Sequence, residues 1–171
     1  MDLTDLAGAV SGEFQNEARQ RALTLSAELP SGPLYVHGIR LQFRRLLDNL
    51  IGNALKFTVA GGYIWVRLKQ EETEAILSVC DNGIGVPQDK LERIFERFYQ
   101  VDGSTKRRYG GVGLGLALVR SVVAAHGGTV HAESPCTDDP KRPGLCIVVK
   151  VPVHDANGII DKPAASRHAL Q

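Results

Sequence analysis

Three groups of residues in this sequence have the types and spacing to do chemistry. In DNLIGNALKF (48–57), Asn49, Asn53 and Lys56 stand at i, i+4 and i+7. At about 100° per residue they share a helical stripe roughly 60° wide. Phe43, Leu46, Leu50, Ala54 and Phe57 centre about 110° away and face a core. Asparagine is a poor helix former, so its repetition mid-helix asks for a task. A carboxamide oxygen is a reasonable ligand for a hard magnesium ion that already holds phosphate oxygens. A lysine one turn on would meet those phosphates as a point charge. A plainly solvated helix side has the same pattern, so the stripe alone decides nothing.

The second group, DNGIGVP (81–87), follows EAILSVC, which reads as a buried strand. An Asn-Gly hairpin explains Asn82 and Gly83 but neither the acid before them nor Gly85. A carboxylate only accepts hydrogen bonds, and adenine carries an exocyclic amine where guanine has a carbonyl. A buried Asp81 would take adenine and repel guanine, with Gly83 and Gly85 letting the base lie on bare backbone. A simple Asp-Asn-Gly turn is the alternative. The third group, YGGVGLGLALVRSVVAAHGG (109–128), runs Gly110, Gly111, Gly113 and Gly115 into a helix. A helix N-terminus offers free amides and partial positive charge to an anion, and glycines for close helix packing are the competing use. The dinucleotide fingerprint fails here, because its third small residue falls on Leu116 or Leu118. No G-K-[ST] occurs, which excludes a P-loop.

The elements that must position these groups follow from periodicity. Residues 1–3 read as a short edge strand, and Thr4 or Asp5 caps a helix carrying Leu6, Val10, Phe14 and Ala18. Strands are expected at 23–29 and 34–37, divided by a proline turn. Residues 39–57 form the clearest helix, and a hairpin of 63–69 with 74–80 follows. Residues 91–98 read as a short helix or turn, and 102–111 as a mobile polar loop. A second apolar helix spans 114–126 and is closed by Gly127-Gly128. Strands at 129–134 and 145–151 complete the fold, and 154–171 reads as a disordered tail. This order predicts an α+β fold, a two-layer sandwich with a mixed β-sheet of about five strands on about three helices.

Composition sets the class. The 171 residues suit one domain, with 43% hydrophobic and 23% charged residues. A net charge of +1 gives no field directed at nucleic acid or an anionic membrane. Three cysteines without a C-x-x-C fit reduced thiols in a cytosol better than a disulfide framework. No stretch is long enough to span a bilayer, and no signal peptide order is present. A cytoplasmic domain without direct membrane contact is expected, whether or not a parent protein is anchored.

The pieces occur together and in order, and the chain resembles the catalytic ATP-binding domain of two-component sensor histidine kinases. Their superfamily includes gyrase, the ninety-kilodalton heat-shock chaperone and MutL. The N box resembles DNLIGNALKFT (48–58), the first glycine box DNGIGVP (81–87), the phenylalanine box IFERFYQ (94–100), and the second glycine box GGVGLGLALV (110–119). The similarity covers residues 1–153. It implies the Bergerat-type layered fold with ATP and Mg2+ between helices and lid. Carried over by position, Asn53 would ligate magnesium, assisted by Asn49, and Lys56 would touch phosphate. Asp81 would bind the adenine amine beside Gly83 and Gly85, and Phe57 or Tyr99 would pack near the ring. The lid would span 99–112, and Gly111, Val112, Gly113, Leu114, Gly115 and Leu116 would surround the phosphates. Three positions depart from the pattern. Val112 replaces the usual Thr or Ser, and Gln100 sits where many members carry arginine. Lys106, Arg107 or Arg108 would supply that charge, or belong to a solvated loop. The third glycine box shrinks to Gly144.

Hydrolytic relatives carry a glutamate base where this chain has Asn49, and an amide cannot take a proton from water. Asp48 lies about 100° round the helix, at the wrong azimuth. A neutral imidazole attacks with an existing lone pair and needs no base. The resemblance therefore implies phosphotransfer to histidine, with positioning and charge neutralisation as the catalytic means. No histidine here lies in an H-[ED]-x-[RK] setting, so the acceptor belongs to a separate dimerisation domain, with a response regulator downstream. His126 reads as structural and His37 as surface. The isolated domain is expected to be a monomer. The alternatives are a nucleotide-binding interaction module without phosphotransfer and a stand-alone serine kinase of the anti-sigma type.

Overall fold

The computed structural model describes residues 1–101 and 113–154. In chain order the elements are α1 (Leu3–Gln20), β1 (Thr24–Glu28), α2 (Arg40–Phe57), β2 (Tyr63–Glu71) and β3 (Glu74–Asp81). Two 3₁₀ turns follow, Gln88–Lys90 and Arg93–Phe95, and then α3 (Gly115–Ala125), β4 (Thr129–Glu133) and β5 (Leu145–Pro152). The sheet order is β1-β2-β3-β5-β4. β1 runs parallel to β2 and every other pair is antiparallel, so the sheet is mixed, as the element order predicted.

Period-two alternation decides which face is covered. Ile64, Val66, Leu68, Ala75, Leu77, Val79, Ile147, Val149 and Val151 point inward and are buried. The helices meet them with Leu3, Leu6, Val10, Phe43, Leu46, Leu47, Ile51, Val119 and Val123. Each fully buried aliphatic side chain contributes roughly 1.5–3 kcal/mol. Among the described residues no helix is long and apolar enough to cross a membrane.

The structure corrects the sequence reading at several points. Residues 1–3 are not a strand: Asp2 forms one isolated bridge with Tyr35, and the helix begins at Leu3. The cap is Asp2, whose carboxylate accepts from the amides of Thr4 and Asp5, rather than either of those residues. The strand expected at 34–37 is reduced to bridges at Tyr35 and Val36. Met1 takes part in the same small ladder, exchanging bonds with Val36. The expectation of three reduced thiols is overturned for two of them. Cys80 and Cys146 are joined in a disulfide, leaving Cys136 free. The physical reason is register: β3 and β5 place the two residues directly opposite each other, which no spacing along the chain discloses. Two readings hold. His126 is structural, its Nδ1 lying 2.7 Å from the Val122 carbonyl oxygen and its ring edge-on to Phe43. Gly127 closes α3 with φ +69°. The loop at 102–111 and all of the tail but His154 lie outside the described residues.

Candidate functional site

A cavity of about 730 Å³ opens between α2, the 81–87 loop, the 3₁₀ segment and the start of α3. Asn49, Asn53, Lys56 and Phe57 line it from α2, and Asp81 and Gly85 from the end of β3. Tyr99, Gly113, Leu114, Gly115 and Leu116 complete the sequence-derived set in its wall. Gly83 stands behind the wall, and Gly111, Val112, Lys106, Arg107 and Arg108 lie outside the described residues. Leu145 and Ile147 of β5 and Ile94 also line the cavity, although the sequence reading did not single them out. Inward alternation on β5 was the available signal for Ile147. Leu145 had none, because it depends on pairing with Asp81 across the sheet.

On α2 the stripe is real and its members differ. Asn49 Nδ2 donates to the Arg45 carbonyl at 2.6 Å, which fixes the amide and leaves Oδ1 as the outward group. That oxygen would lie 2.5 Å from a Cβ on Gly115, so the glycine lets the start of α3 close onto the asparagine. Lys56 Nζ sits 5.2 Å from the Phe57 ring centroid, and partial burial lowers its pKa. The ring of Phe57 is half-buried in the cavity wall rather than wholly in the core. Tyr99 carries the Arg93 guanidinium 4.3 Å over its ring. Phe98 takes φ +64°, and its amide donates to the Gly113 carbonyl at 2.8 Å. Gly113, with φ +73°, leaves no room for a Cβ beside the Tyr99 carbonyl, so this tie needs glycine.

At the end of β3 Asp81 is 5% exposed. Its Oδ1 accepts the Gly83 amide at 2.8 Å. Burial pushes its carboxyl up to about 6, partly offset by the Gly83 and Leu145 amides. Gly83 has a different duty from the one expected: a Cβ there would meet the Phe57 carbonyl oxygen at 2.2 Å. The same carbonyl accepts the Ile84 amide at 3.2 Å, which ties the loop to the end of α2. A bracket from residues 134–144 supports the loop from outside. Ser134 Oγ donates to the Gly144 carbonyl at 2.6 Å and accepts from the Val86 amide at 3.1 Å.

Gly144, the one remnant of a third glycine box, has φ +68° and would place a Cβ 2.0 Å from the Asp81 carbonyl oxygen. Gly144→Ala is expected to lower stability by about 2–4 kcal/mol, combining the left-handed backbone with overpacking. Urea unfolding would measure it. The pH dependence of stability has a definite sign. Asp81 titrates higher folded, at about 6, than its ordinary 3.8. Its contribution is therefore fully favourable below about pH 4 and is lost as pH rises towards 6. About two pKa units correspond to about 3 kcal/mol. Unfolding at pH 4.5 and 7, wild type against Asp81→Asn, checks the sign.

The comparisons with known proteins fall on this geometry. The family model described as histidine kinase-, DNA gyrase B-, and HSP90-like ATPase matches residues 38–155. The chain belongs to this family. It is 42% identical over 132 residues to the sensor histidine kinase RppB of Synechocystis sp., covering 77% of this chain and 29% of that protein. It is 35% identical over 154 residues to the signal transduction histidine-protein kinase BaeS of Escherichia coli, covering 90% and 32%. Among solved structures, the mycobacterial sensor histidine kinase MprB superposes with a TM-score of 0.75 at 27% identity, covering 90% of this chain and 96% of that one. Full-length ShkA in complex with AMPPNP gives 0.74 at 28%, covering 90% and 30%. The chain thus spans about a third or less of the curated relatives it matches. The fold is that of histidine kinase ATP-binding domains, as the resemblance implied.

Proposed function

We propose that this ATPase-family domain binds Mg-ATP in the cavity and donates the γ-phosphate to a histidine on a separate dimerisation domain of a two-component sensor kinase. One observation carries the reading. The wall brings together the side-chain amides and the ammonium of α2 and, among the described residues, a single carboxylate, Asp81. Asp81 is the adenine-reading group: its second oxygen would take the exocyclic amine, with Phe57 and Tyr99 flanking the ring. Lys56 meets the phosphates as a point charge, and its lowered pKa reflects partial burial.

The donor set fits magnesium in one way only. Among the described residues no three His, Cys, Asp or Glu side chains cluster to hold a metal. Asn53, with Asn49 beside it, would contribute amide oxygens to an ion that the phosphates share. When bound, the ion neutralises charge on the transferring group. Asn49 has no basic atom for water, and Asp48 turns to Arg44 at 3.7 Å and does not line the cavity. The phosphate end thus lacks a general base among the described residues, which suits an imidazole acceptor and disfavours hydrolysis.

The test mixes the domain with the dimerisation domain of its parent protein and γ-labelled ATP. Acid-labile label on a histidine is expected. Acid-stable label on another partner, or nucleotide binding without any transfer, would replace this reading with the serine kinase or the interaction module. The same reading assigns a response regulator as the downstream partner and a cytoplasmic setting.

A further inference from the structure

All three cysteines of the chain converge on the end of β3 that holds Asp81. Cys80 precedes Asp81, and Cys146 follows Leu145. Cys80 is opposite Cys146 in register, as Asp81 is opposite Leu145. Cys136, 55 residues along the chain from Asp81, donates its thiol to the Asp81 carbonyl oxygen at 3.4 Å. Period two sends the cysteine pair to the open face of the sheet and Asp81 to the cavity face. The disulfide of Cys80 and Cys146 therefore locks, from behind, the one residue pair whose amide and carboxylate shape the base end of the cavity.

We propose that Cys80 and Cys146 form a reversible thiol–disulfide site, exchanged with an external dithiol or its disulfide, whose oxidised form holds the base-binding end of the cavity in shape. This rests on reading the cavity as a nucleotide site. A kinase domain using ATP works among thiol pools that keep structural disulfides scarce, and a disulfide there is characteristically the exchanging kind. Cys80 is half-buried whereas Cys146 is 6% exposed, so Cys80 is the sulfur an incoming thiolate reaches. That attack forms a mixed disulfide and expels Cys146 as a thiolate, which takes a proton. The second thiolate of the dithiol then attacks its own mixed-disulfide sulfur and releases Cys80, which is protonated in turn. Two electrons and two protons pass to the pair, and the dithiol leaves as its disulfide. Cys136 is not a member of the pair: its thiol is donated to the Asp81 carbonyl oxygen at 3.4 Å.

The molecule carries its own reporter. Trp65, the one tryptophan, is the register partner of Cys80, on the open face where a disulfide quenches indole emission. The experiment equilibrates the full chain in oxidised or reduced dithiothreitol, counts alkylated thiols by intact mass under denaturation, and follows Trp65 emission. AMPPNP affinity is then measured in both states by calorimetry. One label oxidised and three reduced, brighter emission on reduction, and affinity about 5-fold or more weaker in the reduced state are expected. Cys146→Ser should be fixed in the weaker state and ignore the buffer, while Cys136→Ser should respond like wild type. Three labels in the oxidising buffer would overturn the site, and equal affinity in the two states would overturn its coupling to the cavity. Absence of AMPPNP binding in both states, with labels still moving from one to three, would sink the nucleotide reading and leave the exchange site standing.

Discussion

Asp81→Asn is expected to weaken ATP binding by about 1–3 kcal/mol, roughly 5- to 150-fold. The carboxylate accepts the Gly83 and Leu145 amides and has two oxygens with which to take a further donor. Gly83 occupies Oδ1 at 2.8 Å, and the adenine amine takes the other. Asparagine offers one oxygen, so either the Gly83 amide or the base loses its acceptor and meets an N–H instead. A pH signature separates this from general loosening of the loop. Burial raises the Asp81 carboxyl to about 6, and a donor amine favours its ionised form. Wild-type affinity should therefore rise as pH goes from 5 to 7. Adenosine is the suitable probe, since it has no phosphate titrating in that range. In the variant the rise should vanish, whatever its absolute affinity, and calorimetry across the range would read both effects.

Asn53→Ala is expected to abolish the magnesium dependence of ATP binding and to lower phosphotransfer by on the order of 10²-fold or more. Its amide lines the cavity on the same stripe as Lys56, where an ion shared with phosphate has to be met by protein oxygen. Asn49→Ala should behave differently. Its Nδ2 is committed to the Arg45 carbonyl and its Oδ1 packs against Gly115, so part of its loss is structural. Comparing affinity with and without magnesium distinguishes the two. If magnesium still strengthens binding to the Asn53 variant as it does to wild type, the metal is held elsewhere.

What the sequence made legible is what depends on short range. The α2 stripe follows from a period of 3.6, and Asp81 from an acid at the end of an apolar run. Neither signal decides a site alone; the resemblance grouped Asn49, Asn53, Lys56 and Asp81, and all four line one cavity. What stayed hidden depends on contacts between distant segments. Gly83 was expected beneath a base, but it clears the Phe57 carbonyl, which is visible only once α2 and the loop are docked. Gly115 was assigned to phosphate by its place before a helix, and it also seats Asn49. The Cys80–Cys146 pair closes 66 residues of chain through the register of β3 on β5. At the N-terminus Asp2, Thr4 and Asp5 are all competent caps. The bridge of Asp2 to Tyr35, together with the Leu3 amide bonded to the Leu34 carbonyl, selected the first.

The central claim is that a single adenine nucleotide is gripped by both α2 and Asp81 in this cavity. A crystal of the domain grown with AMPPNP and magnesium tests it most directly. The account predicts the exocyclic amine on the carboxylate of Asp81 and the phosphates beside Asn49, Asn53 and Lys56. A nucleotide bound outside the cavity, or one that reaches Asp81 while its phosphates point away from α2, would contradict it.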